Sequence, residues 1–138
     1  MPNTLRKPER LHFDKVIGKL FQQPAGSFVA YPLRVVFLRD ETLEVPSAIL
    51  ISVSKRRFKH AVDRNRIKRQ IRESYRLEKE PFIECLKDAH LKVAVSFIYV
   101  STEHTSSPLI RKSMRDALNR LCKVMIKRHA KEDTQADS

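Results

Sequence analysis

Only two glycines, Gly18 and Gly26, occur in 138 residues, so no glycine-rich loop is available to cradle the phosphates of a nucleotide. Cysteine is as scarce. Cys85 and Cys122 stand alone, with no Cys or His at metal-ligand spacing, which supports neither a disulfide framework nor a zinc site; the expected state is two buried free thiols. The five histidines, at 12, 60, 90, 104 and 129, are scattered without an acidic partner at useful spacing. No grouping for acid–base work or for a metal is legible, and no catalytic residue is assigned. Long apolar runs are missing too. The most apolar segment, LKVAVSFIYV, is about half the ~20 residues a spanning helix needs and contains Lys92 and Ser96. The N-terminal MPNTLRKPER is charged and leads into no apolar stretch, so the expectation is a cytoplasmic chain that is neither secreted nor membrane-spanning.

Positive charge, in contrast, is abundant. Twenty-eight Lys and Arg against 16 Asp and Glu leave a formal charge of +12, with a pI near 10.1. The partner is therefore anionic, a nucleic acid or an acidic membrane surface, and composition alone does not choose between them. The length suits one domain, and 41% hydrophobic residues suffice for one core.

Residues 1–9 hold two prolines and no apolar period, and AKEDTQADS at 130–138 is small and polar; both are expected to be flexible tails around a single domain over 10–129. Asp14 can cap a short helix to Phe21, ended by Pro24 and Gly26. LRVVFL from Leu33 and AILISVS from Ala48 are β-branched and aromatic, which predicts two strands paired antiparallel, with a short strand over Ser27 to Ala30 before them. A helix follows from His60. Pro81 is expected to interrupt it, leaving FIECLKDA as a separate helical piece before a third clear strand in LKVAVSFIYV. Ser107 followed by Pro108 is a helix start, and Ile110, Met114, Ala117, Leu121 and Val124 recur at core-facing spacing behind it. This order predicts an α+β sandwich, helices against a mixed sheet.

The segment HAVDRNRIKRQIRESYRL carries the functional signal. Ile67, Ile71 and Tyr75 are four apart and dock, while Arg64, Lys68, Arg72 and Arg76 form an i, i+4 ladder with Asn65 and Arg69 beside it. Residues 55–76 contain ten Lys and Arg (Lys55, Arg56, Arg57, Lys59, Arg64, Arg66, Lys68, Arg69, Arg72, Arg76) against Asp63 and Glu73, ten minus two or +8 of the total +12. Like charges at i, i+4 repel by about 0.2–0.5 kcal/mol per pair, and a phosphate backbone would offset that cost. Arg66 and Arg69 can alternatively pair with Glu73. Arg64, Lys68 and Arg72 have no acidic neighbour at helical spacing and point to nucleic acid. An amphipathic membrane helix is disfavoured because the apolar strip is too narrow to insert.

ISVSKRRFKHAVDRNRIKRQIRES resembles the signature of the bacterial ribonuclease P protein component, matching it residue by residue over Ser52 to Lys55 and Ala61 to Glu73. The likeness extends over roughly residues 9–128. The family's fold is thereby implied: a two-layer αβββαβα sandwich with a left-handed βαβ crossover, shared with the second domain of a small-subunit ribosomal protein. The resemblance also implies the role. Such a subunit binds the catalytic RNA of ribonuclease P and the single-stranded 5′ leader of precursor tRNA, while the RNA, with Mg²⁺ bound mainly to it, hydrolyses the phosphodiester. Carried over, Lys55, Arg56, Arg57, Lys59, Arg64, Asn65, Arg66, Lys68, Arg69 and Arg72 bind RNA, and Ile17, Phe21 and Val36 line the leader cleft. Ile17 and Val36 stand where the family usually has aromatics, which implies a cleft that relies more on charge than on stacking. The loop RRFKH is one residue longer than the family's and lacks its glycine. The alternative is a general single-stranded nucleic-acid-binding module.

Overall fold

The computed structural model describes residues 24–136 together with Gln22, and side chains as far as Arg128. The helix expected over Asp14 to Phe21 lies outside the described residues. The described chain runs β1 (Gly26–Ala30), β2 (Leu33–Arg39), β3 (Ser47–Val53), α1 (Ala61–Asp88), β4 (Val93–Tyr99) and α2 (Ser107–Ala136). The backbone of α2 thus continues through most of the segment read as a C-terminal tail.

The strands form one sheet in the order β1-β2-β4-β3. The antiparallel pairing expected between β2 and β3 does not occur, because β4 lies between them, antiparallel to β2 and parallel to β3. The reason is in β4 itself. VAVSFIY has no charge and is apolar toward both sides, so it gains most where both faces are covered, and five of its seven residues are exposed by 0%. The β2–β3 connection passes round its end: the Lys92 ammonium donates to the Leu43 carbonyl at 2.7 Å, and the Val93 amide to the Pro46 carbonyl at 2.9 Å. Joining β3 to β4 in parallel requires a crossover, which is α1.

Both helices cover one face of the sheet. Leu33, Val35 and Phe37 of β2 point into this core with Ile49, Val95 and Phe97. Alternation sends Val36 to the opposite face, where it packs with Ala48 and Ala94. From α1 the core receives Ile67, Ile71, Tyr75, Phe82 and Leu86, and from α2 Ile110, Met114, Ala117, Leu118, Leu121 and Met125. The α1 stripe recurs every three or four residues through Pro81, so the expected interruption is absent and one helix of 28 residues forms. A proline inside a helix costs about 3 kcal/mol. Burying Tyr75 ahead of it and Phe82 and Leu86 behind it, at roughly 1.5–3 kcal/mol per large apolar side chain, outweighs that.

Two further ties hold α1 to α2. Cys85 and Cys122 form a disulfide, with an S–S distance of 2.07 Å. The expectation of two free thiols fails here, because only the side-by-side packing of two helices brings together cysteines 37 positions apart. Nearby, Glu78 accepts from Arg111 at 2.5 Å and from Arg115 at 3.0 and 3.2 Å. The hydrogen bond from Arg115, followed by that from Arg111, holds the Glu78 carboxyl below the usual carboxylate range.

Two outcomes follow from this packing. Ile71→Asp places a charge at a site with no solvent access and should abolish cooperative thermal unfolding, whereas Lys68→Ala should leave Tm within about 2 °C; equal melting curves would show that the helix faces the other way. A folded pKa depressed below 4.5 stabilises above that value, and the stabilisation is lost as pH falls through the folded pKa. Glu78→Gln should therefore lower Tm at neutral pH, with the difference closing as acid protonates the wild-type carboxylate. A difference that grows in acid would contradict this linkage.

Candidate nucleic-acid interface

The interface begins where β3 ends. Ser54 organises the loop that follows: its carbonyl accepts the Phe58 amide at 3.1 Å, and its hydroxyl accepts the Arg56 amide at 3.1 Å. Phe58 stands in a loop without glycine, and its ring is buried against Tyr99 and His104, at centroid distances of 5.8 and 5.3 Å. A large apolar anchor thus fixes a loop that has no glycine to bend it. Lys55, Arg56, Arg57 and Lys59 are left exposed around it. The Arg57 guanidinium also donates to the Val100 carbonyl, joining the loop to the end of β4.

Arg64 does something the sequence did not announce. Its Nη1 donates to the Phe58 carbonyl at 2.8 Å and to the Lys59 carbonyl at 2.9 Å, so this arginine staples the loop to the first turn of α1. It serves the interface partly by holding the residues beside it. Asn65, Arg66, Arg69 and Arg72 are exposed, and Lys68 is half-buried. Arg66 and Arg69 do not pair with Glu73, because Arg76 takes that carboxylate from one turn on, at 3.0 Å and through a second, shorter bond. The hydrogen bond from Arg76 lowers the Glu73 pKa.

The opposite flank of α1 is occupied by structure. Asp63 meets His104 at 3.3 Å, a partner 41 positions away that no local spacing could reveal. Gln70 Nε2 donates to the Thr105 carbonyl at 3.0 Å and to Ser107 Oγ at 3.1 Å. At about 100° per residue, Lys68 and Arg72 each stand about 160° around the helix from Gln70. They form, with the loop, a positive surface in which Lys68, Arg69 and Arg72 have no carboxylate within ion-pair distance among the described residues.

Of the residues expected from the resemblance to line a leader cleft, one falls within the described residues. Val36 lies on the sheet face away from α1 and α2, 6% exposed beside Ala48 and Ala94, as alternation with Phe37 requires. Ile17 and Phe21 lie outside the described residues. Among the described residues no three His, Cys, Asp or Glu side chains gather where they could hold a metal ion, and no helix is long and apolar enough to cross a membrane.

Comparison with known proteins accords with this geometry. The sequence model of the ribonuclease P family matches residues 5–122. A ribonuclease P protein component from Porphyromonas gingivalis is 38% identical over 118 residues, 85% of each chain. One from Chlorobium phaeobacteroides is 33% identical over 124 residues, covering 81% of this chain and 84% of its own. The Staphylococcus aureus RNase P protein superposes with a TM-score of 0.64 over 84% of this chain and 96% of that one; at 22% identity this likeness speaks for the fold. The loop stapled after β3 and the Arg-Asn-Arg helix with one unneutralised flank lie within the range that the family's sequence model and these relatives match along most of the chain, and the protein belongs to the ribonuclease P protein family.

Proposed function

We propose that the 55–59 loop and the Lys68–Arg72 flank of α1 seat the phosphate backbone of the catalytic RNA, and that the sheet face carrying Val36 holds the 5′ leader of precursor tRNA together with Ile17 and Phe21. Family membership makes the chain the RNA-binding protein component of a ribonucleoprotein endoribonuclease that processes tRNA, with catalysis in the RNA. A stand-alone single-strand-binding module is not favoured by that membership.

One observation carries the placement. The three acidic side chains between Ala61 and Lys79 are each engaged by a partner other than Lys68, Arg69 and Arg72: Asp63 with His104, Glu73 with Arg76, and Glu78 with Arg111 and Arg115. Lys68, Arg69 and Arg72 are left without internal neutralisation, on a helix fixed from behind by Ile67 and Ile71. Holding like charges together costs free energy, and an RNA backbone offsets it through counterion release. In this reading Mg²⁺ is held mainly by the RNA, and no catalytic step is assigned to a metal on this chain.

Affinity for the cognate catalytic RNA should exceed that for a DNA duplex or an unrelated RNA of equal length. It should also fall with salt, the log–log slope shrinking by about 0.7–0.9 for each phosphate contact removed, so that Lys68→Ala with Arg72→Ala flattens it by roughly 1.4–1.8. An unchanged slope would move the interface elsewhere. In cleavage assays the RNA alone should process precursor tRNA at high Mg²⁺, and the protein should restore cleavage at low Mg²⁺ by reducing repulsion between two polyanions. The same double variant should weaken that rescue, less so as Mg²⁺ rises and screens in its place. Specific 5′ cleavage by highly purified protein with the RNA subunit omitted, and lost in a variant, would place the chemistry on the protein and overturn the reading.

A further inference from the structure

A recess of about 560 Å³, within the ~300–1,000 Å³ range of small-ligand sites, opens between the β1–β2 turn and the start of α2. Its lining includes Tyr31 and Leu109, which are 68% and 58% exposed and are two of the five large hydrophobic side chains that stand out in solvent among the described residues. A ring and a branched aliphatic chain bordering one recess suit a flat, partly apolar guest. The Ser113 hydroxyl donates to the Tyr31 carbonyl at 2.7 Å and ties the turn to α2.

The charge around the recess describes the rest of the guest. Lys112 lines it, and on the same outer face of α2 follow Asp116, Arg120, Lys123 and Lys127, at spacings of three and four residues. The face is exposed at every one of these positions. Lys112, Lys123 and Lys127 have no carboxylate within ion-pair distance among the described residues, and Arg120 lies over the Phe28 ring at 4.5 Å. With a rise of 1.5 Å per residue, the lysines span ~22 Å. This stripe is separate from the α1 interface, because Arg111 and Arg115 close on Glu78 at the junction of the two helices while Lys68 and Arg72 point from the far flank of α1.

We propose that this recess takes the base of an unpaired RNA nucleotide, stacked on Tyr31 against Leu109, while the phosphates of the same strand run along Lys112, Lys123 and Lys127. The site is a second RNA contact, and it rests on the reading of the chain as an RNA-binding subunit. A stacked base needs an open face, so the recess selects single-stranded over fully paired RNA. The carboxylates of Glu103 and Asp116 also border it and can accept hydrogen bonds, which favours bases with an exocyclic amino group over uracil.

The chain supplies its own probe. It has no tryptophan, and of its three tyrosines Tyr75 and Tyr99 are 0% and 1% exposed, so tyrosine emission that acrylamide can quench comes from Tyr31. Titrating the full chain with hexa-adenylate should at least halve that quenching. Hexa-uridylate should do so only at higher concentration, and a blunt duplex RNA should not. Lys112→Ala with Lys123→Ala, or Leu109→Ser, all at exposed positions, should raise the concentration of hexa-adenylate needed about tenfold. Lys68→Ala with Arg72→Ala should leave the Tyr31 signal in place while weakening binding of the catalytic RNA. Unprotected Tyr31 in hexa-adenylate, equal protection by the duplex, or loss of the signal in the Lys68/Arg72 variant would overturn the second site. Should that variant keep full affinity for the catalytic RNA while the Lys112/Lys123 variant loses it, the placement on α1 fails and the α2 site stands.

Discussion

Everything in the molecule depends on the slot that β4 fills between β2 and β3. Neither of those strands pairs with the other, so the backbone amides and carbonyls on their facing edges find partners only when Val93–Tyr99 enters from both sides at once. Because β3 must be parallel to β4, the chain between them has to travel back over the sheet, and the element that makes this journey is the basic helix. Its position across the sheet follows from topology, and its apolar stripe is what the core asks of any crossover. The cations occupy what is left over.

The electrostatics obey a similar economy. Of the carboxylates between Ala61 and Lys79 on α1, Glu73 pairs with Arg76 at the end of the cation ladder, while Asp63 and Glu78 fasten the helix to other elements, through His104 in the β4–α2 loop and Arg111 and Arg115 on α2. Arg64, one of the most conspicuous cations in the motif, donates to loop carbonyls and so acts first as a positioning group. Charge density around Lys68, Arg69 and Arg72 is thus raised because the nearby carboxylates are engaged with other partners.

What could be read from the residues was whatever depends on near neighbours. β-Branched and aromatic runs located β2, β3 and β4, three- and four-residue spacing located both helices, and the run of ten cations marked the surface proposed to meet RNA. What escaped depends on partners far apart in the chain. β2 and β3 read as a pair because they are consecutive, and nothing local says that a strand forty residues later will separate them. Pro81 reads as a break by its own chemistry, and only the burial of Tyr75, Phe82 and Leu86 on one continuous stripe overrides it. The Cys85–Cys122 bond and the Asp63–His104 contact are likewise products of packing. The loop's lack of glycine was visible, but the role of Phe58 as an anchor needed Tyr99 and His104 to be placed beside it.

The central position of β4 also bears on the order in which the protein comes into being. A ribosome releases β1, β2, β3 and the whole of the Arg-Asn-Arg helix before the strand that unites them exists. Until Tyr99 has emerged, β2 and β3 present unpaired edges and the stripe of Ile67, Ile71 and Tyr75 has no finished sheet to rest on. The most cationic part of the chain is therefore born ahead of its platform, beside the RNA of the particle that is making it. Domains generally fold as units once their residues are available, and non-local strand pairing delays that moment further. For this chain, the fold that fixes its basic surface is completed only with the last strand, after the positive charge that attracts RNA has already been synthesised.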